Sequence, residues 1–460
     1  MTTSRRGRLQ AVLRARGVRR ALGALAALFL AIQFVRPAIG NPPVVADVEV
    51  PREIAQILRK DCYDCHSNET RVPWFDLVEP IYWMVAQDVR QGRQHLNFSL
   101  VGSFPPAQQR ALLYESINQV RLGAMPPTAY TLIHRSARVT PDELERLERY
   151  LAPKAGAYAT STSPSPPLVP SALFPSRLDV RSAPNGVAFV HEYGAWQAIS
   201  STDRFDNGTL RVVLANDVAI RALDTNRFAP WPDGAAFAKV AWNAVADGSS
   251  VVRQGSFRQV EFMVKDAVRY AATQGWGWGR WLSPDLTPYG ETPAFTDECM
   301  GCHAPMRDDD FVFTMPIRSA TARAGLVNTE AAPADDITRH PTEWKVVTVS
   351  LDERSATLST VYGNPAAIDH VRDTGSGPLG PFAPGAMLAS VTWSERDDPH
   401  WFGARIPGKM VEARVITVGA TVDGQPTYDC QDRAAGVPGQ REAPCRREAV
   451  DAMLAVPLRR

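Results

Sequence analysis

The spacing of apolar residues divides this chain of 460 residues into a helical first third and a strand-rich remainder. Between residues 49 and 152, apolar side chains recur at the three- to four-residue interval of a helix. The pattern predicts helices over residues 74–92, which Pro80 interrupts, and over residues 105–122. Thr140-Pro141-Asp142-Glu143 is a capping box that begins a further helix. The first third is therefore expected to be all α-helical.

The pattern changes after residues 154–175, which are rich in Pro, Ser, Ala and Thr. Such a composition cannot form a core and predicts a semi-extended linker. Beyond it, β-branched and aromatic residues predict strands over residues 210–214, 236–242 and 257–264, with a helix over residues 218–223. The expected fold class is α+β multidomain, with a helical domain followed by antiparallel β-structure.

The strand-rich part contains a second copy of its own pattern. Four ordered matches share an offset of 148 residues, which increases by three farther along the chain. They are Trp196 with Trp344, Asn216–Ile220 with Asn364–Ile368, Val240–Trp242 with Val391–Trp393, and Val260–Glu261 with Val411–Glu412. Coincidence among common residues is the alternative, but the constant order favours duplication.

The N-terminus has the pattern of an export signal. Several arginines between residues 5 and 20 precede an uncharged apolar run from Ala21 to Val35. The run is short for a full membrane span, and Ala38-Ile39-Gly40 is only a fair cleavage site. We expect an uncleaved anchor in the bacterial inner membrane, with most of the chain in the periplasm. The net charge of +1 gives no reason to expect nucleic-acid binding.

Two Cys-x-x-Cys-His motifs, Cys62–His66 and Cys299–His303, are the most specific chemical signal. Two thiols at this spacing reach both vinyl groups of one porphyrin, and the adjacent imidazole binds the iron. Zinc would need a fourth donor at a regular offset, and a redox dithiol would need no histidine. The motifs predict two covalent haem c groups, with Cys62, Cys65, Cys299 and Cys302 as attachment points and His66 and His303 as iron ligands.

The remaining cysteines, Cys430 and Cys445, close a loop of fifteen residues if they pair. In the loop-entropy model such a bridge contributes about 3 kcal/mol. A disulfide also suits an oxidising periplasm.

The two iron sites are expected to differ in their sixth ligand. Met125 lies in a Met-Pro-Pro loop well after His66, where proline rings limit backbone freedom and can hold the thioether toward the iron. Rival ligands, or a simple core role for Met125, remain alternatives; the rivals are Met84, His95 and His134. Met306 follows His303 too closely to reach the opposite face, so the second iron is expected to be five-coordinate and open.

Four stretches carry a resemblance in the first third. They are Gln33–Pro37, Cys62–Thr70, His95–Phe98 and Met125–Pro127. Through them, residues 20–152 resemble the small haem-binding domains found beside bacterial membrane anchors. The resemblance implies haem binding and electron transfer, without a particular substrate.

A second resemblance rests on the second motif and on strand residues. The stretches are Trp231–Gly234 leading to Lys239, Val260–Glu261, Val264–Asp266, and Cys299–His303 followed by Phe311–Thr314. Through them, residues 186–316 are similar to the cytochrome P-460 family, related to the β-sheet cytochromes c-prime. The resemblance implies a covalent bond from Lys239 to the porphyrin edge, with Arg211 and Glu261 on the distal side. Hydroxylamine oxidation is the family's reaction, and relatives without the crosslink bind nitric oxide.

The residues themselves agree with part of this picture. Hydroxylamine loses protons with its electrons, so Glu261 suits a general base, and Arg211 can orient the substrate. The alternative for Lys239, Arg211 and Glu261 is that each is a solvent-exposed strand residue without a role in the site. In the second copy the counterparts are Ser390 for Lys239, Ser359 for Arg211 and Glu412 for Glu261. Val240-Ala241-Trp242 follow Lys239 where the family often has an acidic residue.

The sequence thus predicts a signal anchor (1–45), a mono-haem cytochrome c domain (46–153), a linker (154–175), a P-460-like haem domain (176–320) and a haem-free copy of it (321–460). The predicted function is oxidation of hydroxylamine, or a related small nitrogen compound, at the open haem. Electrons then pass through the other haem to a partner protein. The alternative is a non-enzymatic cytochrome that binds nitric oxide and transfers electrons, and peroxide chemistry is a third possibility.

Overall fold

A computed structural model describes residues 4–152, 158–160, 180–246, 248, 250–283, 285–319, 325–332, 341–374, 382–422 and 425–434. The chain forms two compact units, one of residues 1–113 and 125–150 and one of residues 114–124 and 151–460. Most of the predicted linker and Cys445 lie outside the described residues.

The first part of the chain is helical, as expected. Its helices are α1 (Ser4–Ile32), α2 (Arg52–Asp61), α3 (Tyr63–His66), α4 (Ile81–His95), α5 (Phe98–Val101), α6 (Pro106–Arg121), α7 (Thr128–Ile133) and α8 (Pro141–Leu151). The helix predicted over residues 74–92 is split into a 3-10 turn, Trp74–Leu77, and α4, which begins directly after Pro80. The capping box forms: the Thr140 amide donates to the Glu143 carboxylate (2.9 Å), and the Glu143 amide donates to Thr140 Oγ1 (3.3 Å).

Helix α1 contains most of the apolar run predicted to be an anchor, up to Ile32. Of the helices in the described part of the chain, none combines the length and the apolar character that a bilayer crossing requires. The residues after α1 are held on the entry to α4. Gln33 and the backbone of Glu79 exchange two hydrogen bonds, and the Trp83 indole donates to the Val35 carbonyl at 2.6 Å.

The second unit contains a twelve-stranded sheet. Its strands are β1 (Ala159–Thr160), β2 (Gln197–Arg204), β3 (Thr209–Ala215), β4 (Ala236–Ala246), β5 (Val251–Lys265), β6 (Trp276–Leu282), β7 (Thr287–Pro288), β8 (Lys345–Asp352), β9 (Thr357–Gly363), β10 (Met387–Asp398), β11 (Trp401–Val422) and β12 (Gln425–Ala434). The helices of this unit beyond residue 180 are α9 (Asp217–Asp224), α10 (Thr296–His303) and α11 (Pro365–Thr374). Eight strands pair in a closed ring in the order β4-β3-β2-β11-β10-β9-β8-β5, because β4 also pairs with β5. Strands β6 and β7 extend the sheet from β5, and β12 pairs with β11.

The ring is built from the two sequence copies. Strands β2 to β5 with α9 recur in the same order as β8 to β11 with α11. Both copies contribute to one apolar core that includes Leu210, Trp242, Phe262, Leu358 and Trp393. The predicted boundary near residue 320 therefore separates two copies that share a core and a sheet.

Each copy also buries apolar residues against the opposite face of its strands. In the first copy this second core includes Phe237, Trp276, Trp278 and Phe311. In the second copy it includes Ile416 and the disulfide-bonded Cys430. The described part of the predicted linker is not a solvated chain, since Tyr158 is buried and donates to Asp203, and β1 pairs with β4.

Candidate functional site

The first Cys-x-x-Cys-His motif lies on the single turn of α3. Cys62 and Cys65 are free thiols, and burial is the main cause that raises the pKa of each to about 12. They are therefore neutral thiols at pH 7. Gly92 of α4 allows this turn to pack closely, because a Cβ at that position would lie 2.7 Å from the Cys65 carbonyl oxygen.

His66 is oriented as a metal ligand. Its Nδ1 lies 3.1 Å from the Leu96 carbonyl, so an Nδ1–H that donates there leaves the lone pair on Nε2. Burial lowers the pKa of His66, which favours the neutral imidazole that binds iron. The stretch after Leu96 is fixed as well, because Asn97 donates to the Asn68 side chain and caps α5 through the Ser99 amide.

The structure separates the candidates for the sixth ligand. His134 is engaged, since its Nε2 lies 2.9 Å from the buried carboxylate of Asp76 and its ring stacks on Tyr130 at 4.0 Å. Met125 is 37% exposed and lies three residues before the start of α7 at Thr128. Tyr130 of α7 lies near the haem motif: after burial, Cys65 is the largest influence that raises the pKa of its hydroxyl. Of the other rivals, Met84 is 55% exposed and His95 is exposed.

The second motif ends α10. His303 Nδ1 lies 2.7 Å from the Phe311 carbonyl, so this imidazole also presents Nε2 to a metal. Burial lowers the pKa of His303 to about 4 and raises the pKa of Cys299 to about 11 and of Cys302 to about 12. Met306 is buried in the 3-10 turn that follows, at the kink between residues 304 and 309.

The loop that supplies the Phe311 carbonyl is held by a buried ion pair. Asp310 and Phe311 have φ values of +50° and +66°, a backbone conformation that is costly for residues other than glycine. Asp310 accepts from Lys265 Nζ at 2.7 Å and from the Trp231 amide at 2.8 Å. These contacts stabilise the strained turn that orients His303.

A row of charged residues crosses β4, β5 and β6 on one face of the sheet. Lys239 is paired with Glu261 across β4 and β5, and Glu261 with Arg280 across β5 and β6. Lys239 Nζ forms an ion pair with Glu261, and Arg280 Nε lies 3.0 Å from Glu261 Oε1. The Gln259 amide donates to the same carboxylate. Arg211 is on the same face of β3, since it lies two residues from Val213, the partner of Lys239.

The charged side chains of this row shift one another's pKa values. Burial alone raises the pKa of Glu261, but the positive charges of Lys239, Arg280 and Arg211 outweigh it and hold that pKa well below its usual range. Burial lowers the pKa of Lys239 although Glu261 opposes the change. Burial, with a contribution from Arg204, lowers the pKa of Arg211 to about 9. At pH 7 Glu261 is a carboxylate and Arg211 is a cation.

The row lies beside the second motif. Lys239 and Glu261 act electrostatically on Cys299, Cys302 and His303. The structure thus brings together the residues that the sequence assigned to the second site: Arg211, Lys239, Glu261, Cys299, Cys302 and His303. The first motif lies in the other compact unit, with Met125.

The second site also contains a buried hydrogen-bond donor that could bind a carboxylate group of a haem. Trp278 packs on His303 with ring centroids 4.5 Å apart. Its indole N–H is buried and, among the described residues, has no hydrogen-bond partner. A buried N–H without an acceptor is costly, so it points to a polar group supplied by a ligand. Two free thiols, an oriented imidazole and this donor fit a c-type haem with its carboxylate groups.

The strand register corrects one equivalence inferred from the sequence. Each copy has a β-bulge at a tryptophan, after which Trp242 pairs with Phe257 and Trp393 with Met410. Counted from the bulge, the partner of Ser390 is Arg414, whereas the partner of Lys239 is Glu261. Glu412 therefore corresponds to Gln259, and the glutamate is not kept.

The next strand differs too: Arg414 pairs with Asp432 where Glu261 pairs with Arg280. The copy without a Cys-x-x-Cys-His motif thus has Ser, Arg and Asp at the three positions where the first copy has Lys, Glu and Arg. Arg280, Trp278 and Asp310 were missed from the sequence. Arg280 and Trp278 lie in a Trp-Gly-Trp-Gly-Arg-Trp strand whose alternation could have placed both on the face of Glu261.

Comparison with known families agrees with this geometry. No curated protein matches the chain. The model of a haem-binding domain matches residues 27–153, and the model of cytochrome P460 matches residues 190–314 and 341–423, parts of both copies. The chain therefore joins a haem-binding domain to a cytochrome P460 domain, as the sequence predicted.

Proposed function

We propose that the protein is a dihaem c-type cytochrome that oxidises hydroxylamine, or a related small nitrogen compound, at its second haem site. Electrons then leave through the first haem to a partner protein. The observation that supports the proposal is the row Lys239–Glu261–Arg280 beside His303, because these groups could accept protons and orient a substrate at the predicted open iron.

The first site is assigned to electron transfer. Cys62 and Cys65 would attach one haem, His66 would bind its iron through Nε2, and Met125 would supply the sixth ligand. The engagement of His134 by Asp76 supports Met125 over that rival. Met/His ligation raises the reduction potential of a haem and closes the iron to substrates.

The second site is assigned to substrate. Cys299, Cys302 and His303 would hold the haem, which supplies one-electron oxidation when bound. Conversion of hydroxylamine to nitric oxide releases three protons and three electrons. Glu261 is placed to accept protons, and Arg211 to orient the substrate oxygen. The electrons pass to an external protein acceptor.

Lys239 is assigned to a bond with the porphyrin edge. Such a C–N bond replaces an N–H and a C–H, so it removes two electrons and two protons, which a peroxide can accept. Burial lowers the pKa of Lys239, which favours the neutral amine that this bond requires. Loss of the ammonium charge would also relieve the low pKa of Glu261 and make it a better base.

A nitric-oxide-binding cytochrome is the second candidate. It is favoured by the present ion pair, because a carboxylate whose pKa is held far below 7 is a weak proton acceptor. In that role Arg211 and Arg280 would set the polarity of the ligand pocket without proton transfer.

For location, we propose the periplasm, with the N-terminal segment as an anchor in the inner membrane. The arginines before residue 21, the apolar run after them and the disulfide at Cys430 support this location.

The ferrous absorption spectrum of the holoprotein and a tryptic mass map test the assignment. A strongly red-shifted Soret band and a haem-bearing Lys239 peptide are expected for the oxidase. The Lys239→Ala variant should keep nitric-oxide binding and lose hydroxylamine turnover. If reduced protein bound no carbon monoxide at either iron, both candidate functions would be wrong.

A further inference from the structure

A hairpin of the second copy, which has no Cys-x-x-Cys-His motif and is called the haem-free copy, packs near the second haem motif. This hairpin, residues 398–404, comprises the end of β10, the turn and the start of β11, and we call it the β10–β11 hairpin. The equivalent connection of the first copy is two residues shorter, since Ala246 pairs with Val252 where Asp397 pairs with Arg405. The longer turn carries His400 and Trp401, whereas the shorter one has the sequence Asp-Gly-Ser-Ser-Val.

Both turns cross to the other copy in equivalent ways. The Asp206 amide donates to the Gly403 carbonyl at 3.1 Å, and the Glu353 amide donates to the Ser250 carbonyl at 2.9 Å. The two contacts follow the duplication. Only the turn that crosses toward the copy with the Cys-x-x-Cys-His motif contains an imidazole and an indole.

These two side chains hold Phe313, which packs on His303. The rings of His303 and Phe313 are 4.8 Å apart, and those of Phe313 and Trp401 are 5.5 Å apart, both edge to face. His400 Nδ1 lies 2.7 Å from the Phe313 carbonyl, so the hairpin fixes the backbone of Phe313 as well as its ring. Phe313 is thus held between the imidazole and the β10–β11 hairpin.

Trp401 is itself immobilised by the first copy. Its indole N–H donates to Asp206 Oδ2 at 3.1 Å, and the Arg204 guanidinium lies 4.3 Å from its ring centroid. Arg204 and Asp206 form an ion pair with little exposure. The packing is therefore continuous from a buried ion pair to the imidazole of His303.

We propose that His400 and Trp401 are positioning residues for the second haem: the haem-free copy holds the ring of His303 in one orientation through Phe313. The inference rests on the proposed ligation of iron by His303. An imidazole fixed by Phe311 at Nδ1 and by Phe313 at its edge has one orientation relative to the porphyrin, which sets the strength of its bond to iron.

Resonance Raman spectra of the ferrous holoprotein test this role, because the iron–imidazole stretch reports the orientation and strength of the His303 bond. Trp401→Leu and His400→Ala should shift and broaden this band, and should move the reduction potential of the second haem but not of the first. Trp401→Phe keeps an aromatic ring beside Phe313 but loses the hydrogen bond to Asp206, and it should shift the band less than Trp401→Leu does.

His370→Ala is the matched control, since His370 lies in the same copy against Phe382 and should leave the band unchanged. Each of these four variants must retain two haems, as measured by mass. A wild-type band and potential in Trp401→Leu and His400→Ala would overturn the positioning role. If the wild-type protein showed no iron–imidazole stretch, the five-coordinate iron bound by His303 would itself be wrong, which is a separate outcome.

Discussion

Removal of Arg280 should expose how strongly the charged row stabilises the second unit. Arg280 Nε lies 3.0 Å from Glu261 Oε1, and both side chains are largely shielded from solvent. With an effective dielectric constant of about 20, a charge pair at this distance attracts by about 5 kcal/mol. Desolvation offsets much of this energy, and Lys239 still pairs with Glu261. We therefore expect Arg280→Met to lower the free energy of unfolding by roughly 2–3 kcal/mol, at the lower end of the values for broken buried pairs.

The loss should depend on pH. Glu261 has a pKa in the folded state well below that of an unfolded glutamate, about 4.3. Its stabilisation is therefore complete above that value and is lost as the pH falls toward the folded pKa. Without the Arg280 charge the folded pKa of Glu261 rises, so the stabilisation that can be lost at low pH is smaller. The difference between wild type and Arg280→Met should be full at neutral pH and should shrink below about pH 4.

Urea unfolding of the holoprotein, followed by tryptophan emission, measures this difference. Nine of the eleven tryptophans lie beyond residue 195, so the signal reports mainly the second unit. Arg280→Lys keeps the positive charge and is the control for the ion pair. Tyr289→Leu removes the ring that lies 4.6 Å from the Arg280 guanidinium and controls for the loss of that contact. A loss below about 0.5 kcal/mol at pH 7, the range of neutral surface changes, would refute the reasoning.

Three other changes test separate parts of the molecule. Met125→Ala should lower the reduction potential of the first haem and allow it to bind carbon monoxide, as redox titration and ligand spectra would record; unchanged ligand spectra would exclude Met125 as a ligand. Gly92→Ala should destabilise the first unit by about 1–3 kcal/mol and reduce haem attachment by mass, because the new methyl group meets the Cys65 carbonyl; full attachment with unchanged thermal unfolding would contradict this. Asp310→Asn should cost about 3 kcal/mol in chemical unfolding, since it leaves Lys265 buried without its charge partner, and a neutral effect would show that the turn needs no ion pair.

The sequence alone was sufficient for features that depend on local spacing. Helices and strands follow from the interval between apolar residues, and the capping box at Thr140 is a contact between near neighbours. The Cys-x-x-Cys-His motifs are also local, since five adjacent residues contain the attachment chemistry. The family matches agree with both resemblances and cover the same parts of the chain.

The linker and the second copy were harder to interpret from spacing. Tyr158 lies in a segment whose composition suggests a solvated chain, yet it is buried against the sheet through a contact with Asp203, 45 residues away. The glutamate equivalence failed because the connection between β10 and β11 is two residues longer than the one between β4 and β5, whereas the β-bulge is the same in both copies. A shift of two residues preserves the face of a strand, so alternation could not detect the error.

Tertiary structure alone decided which distant residues share the second site. Arg280 joins Glu261 because β5 and β6 are antiparallel in one particular register, and register depends on packing over the whole face. His400 and Trp401 reach Phe313 only because two copies close a single ring of strands, which brings residues 87 positions apart into hydrogen-bond contact. The sequence determined which chemistry the chain can attach, whereas the closed sheet determined the charges and rings that surround it, since those contacts are long-range and exist only after the core has formed.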